Sequence, residues 1–364
     1  MGPDADRRRE LEERVERFHG VSLERVLGEI EYLRDTGDSV IAGGSLAYGL
    51  GNHLSDLDLI VTGPSTVESS RVPLEHFVDS LRVDVWKLAQ GLIEGSFERA
   101  EEALAGEGAL LGAFGDIDHE DELKLLHRIA SGVVVDGEGI EADQGRDYRE
   151  VASGLVVREY AERMRASALL AQLALQAGRP IAAVVNARLT VEGALNATIA
   201  QRGLSFSGDK WLRERLSGEV ADLAAVYEPF WRLPQDPARS AAEFVEAALA
   251  SCMEMWGLDL DLDVLVPAAR WRNTDLQVSE IGTDRLLVSA RFGALWNLYE
   301  DEAEAWRRLV AIGAGEPDAT WGLGECDVEA LNLSLRLHEH GLLGLHWTVG
   351  VPIGELEAGR RVGA

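Results

Sequence analysis

Gly43-Gly44-Ser45-Leu46-Ala47-Tyr48-Gly49-Leu50-Gly51-Asn52-His53-Leu54-Ser55-Asp56-Leu57-Asp58-Leu59-Ile60-Val61 is the stretch whose reading decides the fold. The apolar run before it, Val40-Ile41-Ala42, predicts a strand that ends in a glycine turn. Two glycines allow positive φ, so successive N–H groups can point at one anion beside the Ser45 hydroxyl. A helix starting near Leu46 would bring its positive end to the same place. A second strand is expected from Asp56, with side chains on alternate faces. Asp56, Asp58 and Ile60 then share one face, and Leu57, Leu59 and Val61 the other. Two carboxylates on a rigid strand thus oppose an anion-binding turn. A triphosphate held by magnesium calls for that pairing, with hard oxygen ligands for the cation and N–H donors for the phosphates.

Working outward, a third carboxylate is expected on a neighbouring strand. Leu81-Arg82-Val83-Asp84-Val85-Trp86-Lys87-Leu88 alternates again, with Asp84 as its single acid. A glycine-glycine-serine turn, an Asp-Leu-Asp-Leu strand and a later strand aspartate resemble the polymerase-β-type nucleotidyltransferase superfamily. The wording from Gly44-Ser45-Leu46-Ala47-Tyr48-Gly49 through Ser55-Asp56-Leu57-Asp58 is closest to its small-molecule and protein-modifying branches. Taken singly, an Asp-x-Asp strand is often just an edge strand with a solvated face, and a glycine pair is a common turn. In this order and spacing they read as one site.

Composition sets the outer bounds. At 364 residues the chain exceeds one ordinary core, and its 46% hydrophobic and 27% charged content is that of a globular protein. A formal net charge of -28 argues against wrapping a nucleic-acid backbone, which takes clustered Lys and Arg. A mononucleotide is not excluded, since metal and one or two cations can neutralise its phosphates locally. Cys252 and Cys326 form no metal-spaced set and fit a reducing compartment. No stretch reaches the ~20 apolar residues needed to span a membrane, and the N-terminus shows no signal segment. A cytoplasmic protein with no DNA or membrane partner is the expectation.

The rest of the chain reads as three textures. Residues 1–146 hold the site: two N-terminal helices separated by Gly20, the glycine turn, an edge strand near Val72–Val78, the Asp84 strand, helices at 89–104 and 120–130, and a strand at 133–136. Arg7, Arg8 and Arg9 are interleaved with acids and read as a solvated helix face. His119 and His127 are too far apart for a two-ligand pair and read as packing or surface residues. Residues 147–258 read as an antiparallel helical bundle, with Pro180 restarting a helix after Gly178 and further helices near 209, over 219–230 and from Pro237 to Trp256.

Residues 262–350 read as a winged-helix-like domain followed by a tail, 351–364. Strand-like runs Leu286-Leu287-Val288 and Leu342–Trp347 bracket helices at about 299–312 and 327–339. The pattern from Arg285 through Phe292 and Trp296 to Leu343 resembles PqqD-like peptide-recognition domains. Thirteen acids against seven arginines over 270–350 speak for a peptide or protein partner, or a structural wing, and against DNA. In the structural version Phe292, Leu295, Trp296 and Trp306 dock the region onto the bundle. The fold class is therefore α+β: a mixed sheet with flanking helices, a bundle, and a small C-terminal domain.

The nucleotidyltransferase resemblance implies the chemistry. Asp56, Asp58 and Asp84 would hold two Mg²⁺ ions, with Mn²⁺ as a substitute, and Gly44 and Ser45 would position the triphosphate. Asp84 would stand on the acceptor side. The stretch Gly203–Leu212 resembles the Lys-Trp element of the family's helical domain, which puts Lys210 toward the triphosphate, with Arg188 a second candidate. The implied reaction carries a nucleoside monophosphate from a nucleoside triphosphate, ATP by abundance, to a hydroxyl of a small molecule, peptide or protein, releasing pyrophosphate. Two alternatives stay open: a synthase of cyclic or linear oligonucleotides, and a non-catalytic nucleotide-binding scaffold.

Overall fold

The structure, a computed structural model, describes residues 3–63, 72–106, 119–137, 148–203, 209–218, 220–273, 277–281, 285–289, 295–312 and 320–348. It is an α+β protein of two compact units. One comprises Met1–Gly106, Phe114–Val157 and Thr198–Glu219, the other Glu107–Ala113, Arg158–Ala197 and Val220–Ala364.

The first unit opens with α1 (Pro3–His19) and α2 (Leu23–Glu29), separated by Gly20 at φ 69°. Ser22 starts α2 by accepting a hydrogen bond from the Arg25 N–H, a side-chain cap for an otherwise unpaired donor. The helical spacing that runs on to Leu33 in the sequence closes earlier, with a 3-10 turn at Glu31–Leu33. Then come β1 (Ser39–Gly43), the one-turn α3 (Gly44–Ala47), β2 (Leu57–Gly63), β3 (Leu74–Val78) and β4 (Leu81–Ala89). α4 (Gln90–Ala105), α5 (His119–Ser131) and β5 (Val133–Asp136) follow.

The five strands form one sheet in the order β3-β4-β2-β1-β5. β2 and β4 are parallel and the other neighbours antiparallel, so the sheet is mixed. Side-chain alternation sorts its two faces. Val40 and Ala42, Leu57, Leu59 and Val61, Val83 and Val85, and Val133 and Val135 share one core with Leu11, Val15, Leu23, Val26 and Ile30 from the helices. Fully burying each of the Val, Leu and Ile side chains contributes roughly 1.5–3 kcal/mol, an upper figure because unfolded chains are themselves compact. The residues between them, Asp58, Ile60, Asp84 and Trp86, face the other side. They too are buried, which fits a central strand covered on both faces. Phe97 of α4 is stacked by Tyr148 at a centroid distance of 4.1 Å, where α6 (Tyr148–Gln176) begins.

The second unit takes up α6 from Arg158 and α7 (Pro180–Gln201) to Ala197. Gly193 of α7 lies against the Met164 backbone, where a Cβ would meet its Cα at 3.2 Å. That glycine sets how near the two helices come. α8 (Leu212–Leu216) belongs to the first unit. The single helix expected over 219–230 is instead α9 (Ala224–Tyr227) between two 3-10 turns. Pro229 lacks the N–H that a continuing helix would need. α10 (Pro237–Trp256) has the predicted bounds, and Gly257 at φ 64° donates to the Met253 carbonyl. The Trp256 indole donates to the Ala194 carbonyl at 3.1 Å.

After α11 (Leu262–Ala268) come two small antiparallel sheets and two helices. β6 (Ala269–Asn273) lies between β10 (Thr320–Gly322) and β11 (Leu343–Trp347). β7 (Gln277–Ile281), β8 (Arg285–Ser289) and β9 (Leu295–Tyr299) make a meander, and α12 (Glu300–Ala311) and α13 (Val328–Glu339) accompany them. The strand, helix, helix, strand series read from sequence corresponds to β8, α12, α13 and β11. β6, β7, β9 and β10 are additional. Trp271, Trp321 and Trp347 are buried, Arg165 of α6 lies 4.4 Å over the Trp347 ring, and Arg179 pairs with Glu339 at 2.6 Å. Trp306 is buried as well, while Trp296 is half-buried and packs on His340. Phe292, the Leu295 side chain and residues 351–364 lie outside the described residues. Among the described residues no helix is long and apolar enough to cross a membrane.

Candidate active site

The glycine turn is built where β1 ends. Gly43 is extended, and Gly44 takes φ +73°, a conformation that L side chains rarely adopt. Space makes the same demand, since a Cβ on Gly44 would lie 1.9 Å from Asp58 Oδ2. Ser45 is buried, and its carbonyl accepts from the N–H groups of Leu50 and Gly51 at 3.0 and 2.9 Å, folding the glycine-rich loop back on itself. Arg14 of α1 donates to the Leu46 carbonyl at 3.2 Å, so the first helix braces the turn. Entry into β2 is set locally. The Asn52 N–H donates to Ser55 Oγ at 3.0 Å, the Ser55 N–H to the Asn52 carbonyl at 3.0 Å, and the Leu54 N–H to Asn52 Oδ1 at 2.9 Å.

Strand register aligns the rest. Gly43 is opposite Asp58 between β1 and β2, Asp58 opposite Asp84 between β2 and β4, and Asp84 opposite Glu75 between β4 and β3. Gly43, Asp58, Asp84 and Glu75 therefore form one rung across four strands, on one face, at a neighbour spacing of about 4.8 Å. Asp56 precedes β2 and is partly exposed.

Like charges on one rung repel, and two arginines offset them. Arg82 grips Asp84 with Nε to Oδ1 and Nη2 to Oδ2, both at 2.9 Å, and reaches Glu75 at 2.8 Å. These carboxylates raise Arg82 above its ordinary range, the Asp84 hydrogen bonds most of all. Arg128 of α5 brings Nε to 3.6 Å from Asp58 Oδ2 and lies over the Trp86 ring at 4.8 Å. Burial raises Asp58 to about 6. Arg128 and Lys210 pull it down, and Asp56 and Asp84 push it up.

Of the residues singled out from sequence, Gly44, Asp58 and Asp84 meet on or beside the rung. Asp56 and Lys210 act on Asp58 through charge. Lys210 is exposed, 5.4 Å from the ring of its neighbour Trp211, and residues 204–208 of that element lie outside the described residues. Arg188 belongs to the second unit, where it pairs with Glu192 at 3.2 Å. His127 is a packing residue, pushed down to about 3 by burial, Arg215 and Arg128. The His119 side chain lies outside the described residues. In the basic run Arg7 donates to the Ser131 carbonyl, while Arg8 and Arg9 make exposed pairs with Glu12 and Asp6. Sequence reading missed Arg82 and Arg128. Arg82 was legible in principle, two residues before Asp84 and so on its face of the strand. Arg128 had no such signal.

The donor set fits a divalent cation. Asp58 and Asp84 offer hard oxygens from adjacent rung positions, and burial disfavours the charged form of Asp58. Among the described residues, no three His, Cys, Asp or Glu side chains stand together as a metal-holding group. Both Asp84 oxygens are turned to Arg82.

Residues 23–105 match the family model of the nucleotidyltransferase domain. That segment runs from α2 through α4 and contains the glycine turn and all three aspartates, but not Arg128, Arg188 or Lys210. The chain thus carries a nucleotidyltransferase domain and is an enzyme of that class, and such a domain implies a nucleoside triphosphate. Among solved structures it is similar to the nucleotidyltransferase-like protein from Exiguobacterium sibiricum 255-15, at 11% identity and a TM-score of 0.30, over 76% of this chain and 97% of that one. No curated protein matches the chain.

Proposed function

We propose that the protein moves a nucleoside monophosphate from a nucleoside triphosphate, ATP by abundance, to a hydroxyl of a small molecule, peptide or protein. The acceptor oxygen attacks the α-phosphorus, the bond to the bridging oxygen breaks, and pyrophosphate leaves. The observation that carries this reading is the rung that sets Asp58 and Asp84 side by side beside the Gly43–Ser45 turn. Gly44 and Ser45 position the phosphates, and Lys210 offsets charge on the leaving group. Asp84, oriented by Arg82, takes the acceptor side and receives its proton. Asp56, Asp58 and Asp84 are the residues that would hold Mg²⁺, two ions in this reading with Mn²⁺ as a substitute, and bound metal would supply charge neutralisation and an activated acceptor oxygen. Positioning and electrostatics carry most of the rate in such chemistry.

The acceptor is assigned to the region 262–350, the last of three proposed divisions after 1–146 and 147–258. β11 pairs only with β6 among the described residues, so its outer edge is the proposed seat for an extended peptide adding a strand. The contacts of Arg165 and Arg179 with this region support the structural version of its role equally well.

The test is label transfer. α-labelled triphosphate, Mg²⁺ and panels of hydroxylated metabolites, peptides and proteins should give a labelled acceptor and equimolar pyrophosphate, both lost in chelator. Chromatography separates this from oligonucleotide products. Full turnover in chelator, or release of γ-phosphate alone, would overturn the proposal.

A further inference from the structure

Arg128 is placed by three contacts, two of them to the glycine–aspartate motif, from a helix outside it. Its stem is pressed against the turn, where a Cβ built on Gly43 would come 3.0 Å from Arg128 Cβ. Its guanidinium sits 4.8 Å from the centroid of the Trp86 ring. Its Nε lies 3.6 Å from Asp58 Oδ2, with the side chain 31% exposed. Lys210 acts on the same carboxylate from another element. In a chain of net charge -28, these two cations act against the negative charge of Asp56 and Asp84 at the same carboxylate.

Such an arginine is either a permanent counter-ion of Asp58 or a ligand waiting for another anion. The geometry separates the two. Arg82 shows what a dedicated counter-ion looks like here, a two-pronged grip at 2.9 Å on both oxygens of Asp84. Arg128 stands at 3.6 Å, beyond the ~2.7–2.9 Å of a charge-assisted hydrogen bond. A guanidinium seated on an aromatic face keeps its in-plane donors for other partners.

We propose that Arg128 is a ligand of the nucleotide's phosphates, exchanging Asp58 for them when a divalent cation takes the Asp58 carboxylate. This rests on the nucleotidyl-transfer reading above. A cation at Asp58 removes the attraction that holds the guanidinium and repels it. Phosphates over the Gly43–Ser45 turn offer the nearest replacement. Arg128 thereby couples the two binding events, so that cation and triphosphate each favour the other.

The test compares full-length wild type, Arg128→Gln and Arg128→Lys. Mn²⁺ binding alone is read by electron paramagnetic resonance. Binding of a non-hydrolysable triphosphate with Mg²⁺ is read by calorimetry, with the monophosphate as reference. Arg128→Gln should bind Mn²⁺ alone at least as tightly as wild type, because a competing positive charge is gone. It should lose roughly ten- to a hundredfold in triphosphate affinity, the scale of one hydrogen bond to a charged group, and little for the monophosphate. Arg128→Lys should keep wild-type Mn²⁺ binding and recover part of the triphosphate affinity. Unchanged triphosphate binding in Arg128→Gln, or parallel weakening of both ligands, would make Arg128 only the counter-ion of Asp58. Should Arg128→Gln not fold, Arg128→Lys decides: triphosphate affinity equal to wild type overturns the exchange, and a selective loss supports it. If wild type itself binds no triphosphate with Mg²⁺, the nucleotidyl-transfer reading falls and the exchange with it.

Discussion

One rung of the five-stranded sheet carries Gly43, Asp58, Asp84 and Glu75, while the central rung of the β10-β6-β11 sheet carries Trp321, Trp271 and Leu345. Both cross buried central strands, yet their chemistry is opposite. The tryptophan rung is cohesive. Its rings remove large apolar areas from water, and Trp271 is fully buried. The acid rung works against itself, with like charges on adjacent strands, one of them buried to the point that its carboxyl rises to about 6. A sheet built for stability alone would place apolar side chains there. The contrast teaches which residues the fold carries at a cost, and those are the ones on which the proposed chemistry draws.

The comparison is broken most sharply at Asp58. Asp58→Asn should lower label transfer on the order of a thousandfold, since in the proposed reaction several kcal/mol of transition-state stabilisation depend on a cation held there. The same change should raise the melting temperature of the metal-free protein at neutral pH, because it removes a buried charge. An active variant, or one that loses both activity and stability, would end the contrast between the rungs.

Trp271→Ala comes next. Emptying a fully buried indole should cost roughly 3–5 kcal/mol in chemical denaturation. A cost under about 1 kcal/mol would show that the tryptophan rung is not the cohesive element of its sheet.

The pH dependence is the smallest effect and sharpens the first. Asp58 is raised from 3.8 to about 6 in the folded protein. A carboxyl raised by folding contributes stability that is full below its unfolded value and is lost as pH rises through its folded value. In chelator, stability should therefore fall between about pH 4 and pH 6–7 by about 1–3 kcal/mol, at 1.36 kcal/mol per unit. Asp58→Asn should lack that slope. An identical slope in the variant would assign the titration to another group.

Much of this was legible along the chain. The strand ending in Gly43, the positive-φ glycine after it, the alternation that sends Leu57, Leu59 and Val61 to one side and Asp58 and Ile60 to the other, and the bounds of α10 all follow from local rules. The small C-terminal sheets were only half read. β8 and β11 are compact apolar runs, whereas β6, Ala269-Arg270-Trp271-Arg272-Asn273, alternates with arginines and takes its place only by pairing with β10 and β11.

The sequence by itself determined the turn, the three aspartates and the long helices, because φ preferences, caps and side-chain period act within a few residues. Only the tertiary structure decided that Asp58 and Asp84 share a rung, since one slip of register would send a strand's side chains to the opposite face. It alone brought Arg128 to Asp58 across seventy positions of sequence, on a helix whose own pattern records packing and carries no trace of the carboxylate it meets.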